Sequence, residues 1–588
     1  MSYDIMFQQA LTFHQQGNLD AAENLYRQIL ETAPDHPDVL NLLGLIAQAR
    51  GVHNEAVALF YKAVKHAPQH APFYFNLGIS LFAQNKLPEA ADILNHAIGL
   101  QPDFKEAYNQ LGLVLKEQNR INEAKQAFAK AVELDADYVD ALANLAMLEE
   151  NAEATVRLSD LARRFPENPL IRFYLARLYL QNNNLKNAEK QALLADEFAP
   201  GQEDVTRLLA EIMLQKQDEK QAENYLRQTL KLNSVNIFAL INLADILTRR
   251  QNFDEAERLY RQAIEAAPQN LDAHANYAAL LYEQKRTAEA LEEYRKAVII
   301  NPKVAEVSNN LGLILKNMEE YEEALGLFFN AFALKPQLEE ISLNIAETLT
   351  LFSRQDKETA AKIAQNWLKL APENVFACRL SAAFNGEIPE KSESYSKKLF
   401  DNFAENYEQV LQKIDYTLPQ QIKMLADNPS GTIVDLGCGT GLIGQMIKSE
   451  QNQLIGIDIS EKMLAQAKRK NIYSQLRHSD ILSYLKDGIT QDAPSLVIAA
   501  DVFCYLGNLE EIICRISSYK AIFSVETLEN AKQDFILTET GRFRHTPHYV
   551  EKLLKKHHCS FKTQSVELRR ENDTPVKGTI FITTPENA

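Results

Sequence analysis

Val434-Asp435-Leu436-Gly437-Cys438-Gly439-Thr440-Gly441 is an apolar strand that runs straight into three alternating glycines. Glycine has no Cβ, so the chain can turn tightly from strand to helix and bring its backbone close to a ligand. Asp435 sets a carboxylate beside that turn, suited to an ammonium rather than to a phosphate. Outward from the loop the chain alternates between strand and helix. Residues 432–436 read as a strand, 442–449 as a helix and 454–458 as a second strand, with Ser460 as the cap of the next helix. Residues 496–500 and 521–525 are apolar enough to be buried strands, and segments near 563–568 and 578–583 supply two more. Upstream, residues 399–407 read as one amphipathic helix, apolar at 400, 403, 407 and 411. The order predicts a doubly wound, Rossmann-like α/β sheet with its ligand beyond the strand C-termini.

Before residue 385 the pattern is different. Small residues recur every 34 positions at Ala10, Gly44, Gly78, Gly112 and Ala146. Ala22, Ala56, Ala90 and Ala124 repeat the beat, and so do Pro34, Pro68 and Pro102. Each unit reads as two short helices crossing at small residues and ended by a proline. Tyr26, Phe60, Leu94 and Phe128 are expected to plug the gap between neighbouring hairpins. The period slips by four at Pro166, which marks the fifth unit as irregular and as a candidate hinge, and then resumes to Pro372. About eleven units and a closing helix from Val375 result. The three registers are similar to those of tetratricopeptide repeats and predict an all-α superhelical solenoid with an extended concave surface. The expected domains are 1–385 for the repeats, 386–395 for a linker and 396–588 for the α/β domain.

One further register holds amides: Asn76, Asn144, Asn242, Asn276, Asn310 and Asn344, with Gln110 in phase. It resembles the asparagine ladder of the O-GlcNAc transferase repeats. An amide donates and accepts, so such a line can hold an extended peptide by its backbone. The alternative use of the same amides is to cap local backbone.

The glycine loop resembles motif I of the class I S-adenosylmethionine (SAM) methyltransferases. That resemblance implies SAM as cofactor, held by Asp435, Gly437, Gly439 and Gly441, with Asp458 on the ribose hydroxyls and Asp480 on the adenine amino group. Gly439-x-Gly441-x-x-Gly444 also spells a dinucleotide fingerprint, but its first glycine should follow the strand directly, and there the chain has Gly437. Residues 400–419, 500–507, 541–550 and 568–578 are similar to predicted bacterial methyltransferases that carry tetratricopeptide repeats. Ser495 departs from the Asp with which many relatives begin the fourth strand.

Methyl transfer from a sulfonium needs alignment and, for an O or N acceptor, loss of a proton. Asp501 follows the fourth strand, Tyr505 can shape an acceptor pocket, and His545 and His548 are general-base candidates in a stretch read as loop. Glu526 is a further possibility. Lys552, Lys555, Lys556, His557 and His558, near Arg542 and Arg544, form a basic cluster that reads as the solvated face of a terminal helix, or alternatively as a feature that favours an anionic acceptor.

A net charge of −17 speaks against nucleic acid, and no apolar run approaches the length of a membrane span. Five scattered cysteines without metal-ligand spacing and the lack of a basic, apolar leader point to the cytoplasm. The expected function is a SAM-dependent methyltransferase whose solenoid recruits a protein partner or polypeptide substrate. Two alternatives stay open: an enzyme acting on a small or carrier-bound acceptor, with repeats for assembly only, and a non-catalytic scaffold that binds SAM.

Overall fold

The computed structural model describes residues 3–148, 151–389, 392–487, 489–529, 532–571 and 574–586. The expected linker therefore lies partly outside the described residues, at 390 and 391. Two compact units divide the chain, Met1–Pro268 and Gln269–Ala588. The boundary falls inside the repeat array, so the last three repeats belong with the sheet.

In the first unit sixteen helices pair in sequence into eight hairpins, from Tyr3–Gln15 with Leu19–Thr32 to Ile237–Arg249 with Phe253–Ala266. The small-residue registers explain the pairing. Ala22, Ala56, Ala90 and Ala124 have no exposed surface. A Cβ built on Gly44 would lie 2.6 Å from the Phe60 ring, on Gly78 2.7 Å from Leu94, and on Gly112 2.5 Å from the Phe128 ring. The plug residues thus fill space within their own hairpin, against its first helix, and also belong to apolar clusters that run on into neighbouring hairpins. Each ring is fully buried, and truncating one to Ala would cost about 3–5 kcal/mol. Pro34, Pro68 and Pro102 each stand two residues beyond a helix end.

The hairpin turns carry a register that composition does not reveal. Gly17, Gly51, Asn85, Asn119, Asn183, Gln217 and Gln251 all hold φ between +55° and +76°. The fifth repeat is irregular, as its sequence predicts: its first helix, Val139–Ala146, has eight residues where the other first helices of this unit have thirteen.

The second unit opens with three more hairpins, Leu271–Glu283 to Lys357–Leu370, and the closing helix Val375–Asn385. In this unit Gly312 makes room for the Phe328 ring, 2.7 Å from where a Cβ would sit. Trp367 is completely buried, edge-on to Phe329 and Phe332.

A seven-stranded sheet follows. Its strands are β1 (Gly431–Leu436), β2 (Asn452–Asp458), β3 (Gln475–His478), β4 (Leu496–Ala499), β5 (Ala521–Glu526), β8 (Cys559–Glu571) and β9 (Thr574–Pro585), in spatial order β3-β2-β1-β4-β5-β9-β8. The first five are parallel, whereas β9 and β8 join antiparallel, so the sheet is mixed rather than wholly parallel. A small hairpin, β6 (Phe535–Leu537) with β7 (Phe543–His545), stands apart. The order reverses at β1 and β4, which leaves a crevice beyond their C-terminal ends. Val434, Leu436, Val497 and Phe523 pack one face of the sheet, and Ile433, Leu454, Ile498 and Ile522 the other.

Two readings of local structure change. Residues 399–407 are not one helix: Ser392–Phe403 and Tyr407–Lys413 are separate. The stretch with His545 and His548 is not loop, since β7 leads into the helix Pro547–Lys556.

Candidate functional site

The glycine turn leaves β1 with Gly437, Gly439 and Gly441 at φ of +69°, +54° and +88°. These are left-handed conformations that side chains disfavour. At Gly437 a Cβ would also meet Val502 at 2.2 Å, so the turn is pressed against the exit from β4.

Asp458 ends β2 and is held by two backbone donors. Gly439 N donates to one carboxylate oxygen and Ser460 N to the other, both at 2.8 Å. Burial raises its pKa, and the backbone donors oppose that rise. Each oxygen keeps a lone pair, so the carboxylate can accept from two adjacent hydroxyls of a ligand. Ser460 caps the following helix as expected, accepting from Met463 N at 3.1 Å.

Asp435 goes elsewhere. It is 1% exposed, accepts from the Tyr473 hydroxyl at 2.7 Å, and burial pushes its pKa up to about 7. Neither it nor Gly441 reaches the wall of the cavity beside the turn. The Tyr473 ring instead fills the space left by Gly441 and Gly444, 3.0 and 2.4 Å from their would-be Cβ atoms.

That cavity has about 770 Å³ between its lining atoms, part of it open to solvent. Gly437, Gly439, Asp458, Asp480, Asp501 and Tyr505 all line it. Asp480 accepts from Ser483 N at 2.8 Å. Glu393, Ser396, Phe400 and Tyr407 cover the cavity from the helices Ser392–Phe403 and Tyr407–Lys413. The cover is tied down by Ser460 Oγ donating to Asp401 at 2.6 Å, and by Thr440 and Lys470 both donating to Glu408 at 2.7 Å. Burial pushes the Tyr407 and Tyr505 hydroxyls up, so both stay protonated near neutrality. Phe400 meets Tyr505 edge-on at 5.1 Å and Tyr407 at 6.2 Å. Among the described residues no lysine, arginine or histidine lines this space, and the charged groups that do are four carboxylates. Such a wall of aromatic rings and acids suits a cation.

Behind the cavity lies a buried ion network. Asp501, at φ +53°, takes Arg542 at 3.3 Å and Arg569 at 3.4 Å. Glu526 takes Arg569 at 2.5 Å and Arg542 at 3.2 Å. Burial would raise Glu526, but the two guanidiniums outweigh it and hold the carboxyl below its usual range. Glu526 thus balances charge under the site and is not a cavity wall. Asp501, Cys504 and Glu526 come within 4.8 Å of one another, a grouping in which the arginines already supply the positive charge.

His545 is placed away from the cavity. It has no exposed surface, its Nε2 lies 2.9 Å from Gly507 O, and burial lowers its pKa to about 4. It cannot take a proton from a ligand there. Arg542 likewise leaves the basic cluster for the ion network, and Lys556 pairs with Glu510.

The amide register divides. Asn76 donates to Asn41 at 2.9 Å, Asn144 to Asn109 at 3.0 Å and Asn344 to Asn309 at 2.8 Å, each linking one repeat to the next. Asn242 donates to Phe238 O one turn back on its own helix, and Asn276 is half-buried. Asn310 is exposed, 3.5 Å from the Tyr294 hydroxyl.

Comparison with known proteins agrees with this geometry. A tetratricopeptide repeat family matches residues 208–270 and 241–305, and a methyltransferase domain family matches 434–519, from β1 to just before β5. Residues 6–208 match the family described as the cilia and flagella-associated protein 70 C-terminal domain. The chain therefore joins tetratricopeptide repeats to a methyltransferase domain. It is 31% identical over 123 residues to a demethylmenaquinone methyltransferase of Symbiobacterium thermophilum, covering 20% of this chain and 48% of that one. It is also 31% identical over 134 residues to the putative methyltransferase YqeM of Bacillus subtilis, covering 22% and 51%. The chain spans about half the length of these relatives. A solved structure of Pseudomonas aeruginosa pilF covers 36% of the chain and 95% of its own, at 22% identity and a TM-score of 0.30. No helix among the described residues is long and apolar enough to cross a membrane.

Proposed function

We propose that this chain is a class I SAM-dependent methyltransferase whose repeats, residues 1–385, recruit a protein partner or polypeptide substrate to the domain 396–588. The observation that carries the cofactor is the Asp458 carboxylate, fixed by Gly439 N and Ser460 N at the cavity edge. It matches a ribose diol, and the adjoining acids and aromatic rings match a molecule bearing both an ammonium and a sulfonium. When bound, SAM supplies an activated methyl group. The protein's part is then to bind and align. Gly437 and Gly439 let the backbone approach, Asp480 lines the cavity and would take the adenine amino group, and Asp435 supports the turn through Tyr473 rather than by touching the ligand.

Asp501 and Tyr505 form the wall where an acceptor would meet the methyl group. Glu393, whose carboxyl is raised by burial and then by the charge of Asp480, suits proton removal better than His545 does. The all-acidic lining disfavours an anionic acceptor, which makes the carrier-bound alternative the weaker one.

Calorimetric titration of SAM into the full chain tests the cofactor. Binding in the parent and none in Asp458→Ala is expected; equal affinity in both would overturn the assignment.

A further inference from the structure

We propose that the end of the repeat array is part of the methyltransferase site, with Arg379 of the closing helix as the residue that positions its acceptor wall. The inference rests on reading the cavity as the SAM site. It goes beyond recruitment, because it gives the last repeats a role in alignment itself.

Arg379 is 1% exposed although it projects from a helix of the repeat array. Its Nε and Nη2 donate to Gly541 O at 3.0 and 2.9 Å, and Nη2 also reaches Tyr505 O at 3.3 Å. The guanidinium stands 4.7 Å from the centre of the Tyr395 ring and 4.8 Å from that of Phe543. One planar fork thus joins two loops that are distant in sequence. A lysine ammonium has neither the fork nor the stacking face. Burying a guanidinium is costly unless its donors are satisfied, so this contact is one the fold maintains against a penalty.

Gly541 is the turn of the β6–β7 hairpin, at φ +74°, and a Cβ there would lie 2.4 Å from the Tyr395 hydroxyl. The same tip is held twice more by the last repeat. Thr350 Oγ1 donates to Glu539 O at 2.9 Å, and Lys357 pairs with the Glu539 carboxylate. The next residue along, Arg542, leaves the turn for the ion network behind the cavity. It pairs with Asp501 and Glu526 and lies 5.2 Å over the Tyr505 ring.

Arg379 therefore touches Tyr505 directly through its carbonyl, and indirectly through Gly541 and Arg542. Tyr505 lines the cavity and Arg542 pairs with the lining residue Asp501, whereas Asp458 is fixed by Gly439 N and Ser460 N. Loosening the clasp should then spare cofactor binding and harm transfer.

The test uses the full chain with Arg379→Gln, Arg379→Lys and Thr350→Val. Three readouts are taken: SAM affinity by calorimetry, amide hydrogen exchange over 500–507 and 538–542, and initial rates of labelled methyl transfer from SAM into native lysate at several lysate concentrations. Arg379→Gln should hold SAM within about threefold of the parent, lose protection in both segments, and slow transfer at saturating lysate by tenfold or so. Arg379→Lys should recover part of the rate. Unchanged exchange and transfer in a folded Arg379→Gln chain would overturn the proposal. Should that variant not fold, Thr350→Val decides by the same exchange signals, since it removes only one tip bond. If the parent chain bound no SAM, the cofactor reading would fall, while the exchange difference at Tyr505 would still report the clasp.

Discussion

The repeats and the cavity both depend on glycines with no room for a Cβ, yet the two kinds of glycine differ in what they protect. Gly112 faces the Phe128 ring in a contact that recurs, with variations, along the array. Gly437 faces Val502 in a contact made once, at a backbone angle that side chains resist. Redundancy in the first case spreads the load. In the second, a single position sets the shape of the site. Damage to the array should therefore appear as lost stability and damage to the turn as lost binding.

The largest expected effect is at the turn. Gly437→Ala adds a methyl 2.2 Å from Val502 at positive φ, and SAM affinity should fall by roughly a hundredfold or more in calorimetry. Gly112→Ala should lower stability by about 1–2 kcal/mol in denaturant unfolding while leaving SAM affinity alone. Ala244 and Tyr260 hold the equivalent positions in another hairpin, both buried, so that overlap can be relieved. Equal binding losses from the two substitutions would break the comparison.

The buried titrating groups give a third effect. His545, lowered to about 4, binds its proton better in the unfolded chain, so its contribution is lost as pH falls from about 6.5 to 4. Asp435, raised to about 7, binds its proton better in the folded chain, so its contribution is lost as pH rises from about 4 to 7. The two slopes oppose each other. Against the His545→Gln/Asp435→Asn double variant, His545→Gln should lose stability as pH rises from about 4 to 7, by up to about 1.4 kcal/mol per unit. Identical profiles for the two variants would show that Asp435 is not raised.

The smallest effect belongs to the amides. Replacing Asn276 and Asn310 by Ala should weaken capture of a repeat-bound partner with no change in SAM affinity. Asn144→Ala should instead cost about 1 kcal/mol of stability, since it breaks a buried bond between repeats.

The periodic part of the fold was legible because the physics repeats. Three registers at one spacing report the same helix crossing many times over. The left-handed turn residues repeat as faithfully, but Gln217, Gln251 and Lys285 carry no compositional mark of it. In the site, Asp458 and the glycines were readable from type and position alone. His545 was misplaced because histidine in a polar stretch looks solvated, and only the pairing of β6 with β7 buries it. Asp435 was read toward the ligand because nothing local reveals Tyr473, 38 residues on. Arg379 gave no signal at all: its partners are backbone carbonyls 126 and 162 residues away.

Transfer of methyl-labelled SAM into native lysate, by the full chain and by Asp458→Ala, tests the central claim most directly. The account predicts label in discrete protein bands with the parent chain and none with the variant. Label confined to small molecules would contradict the recruiting role of the repeats, and label that persists in Asp458→Ala would contradict the site.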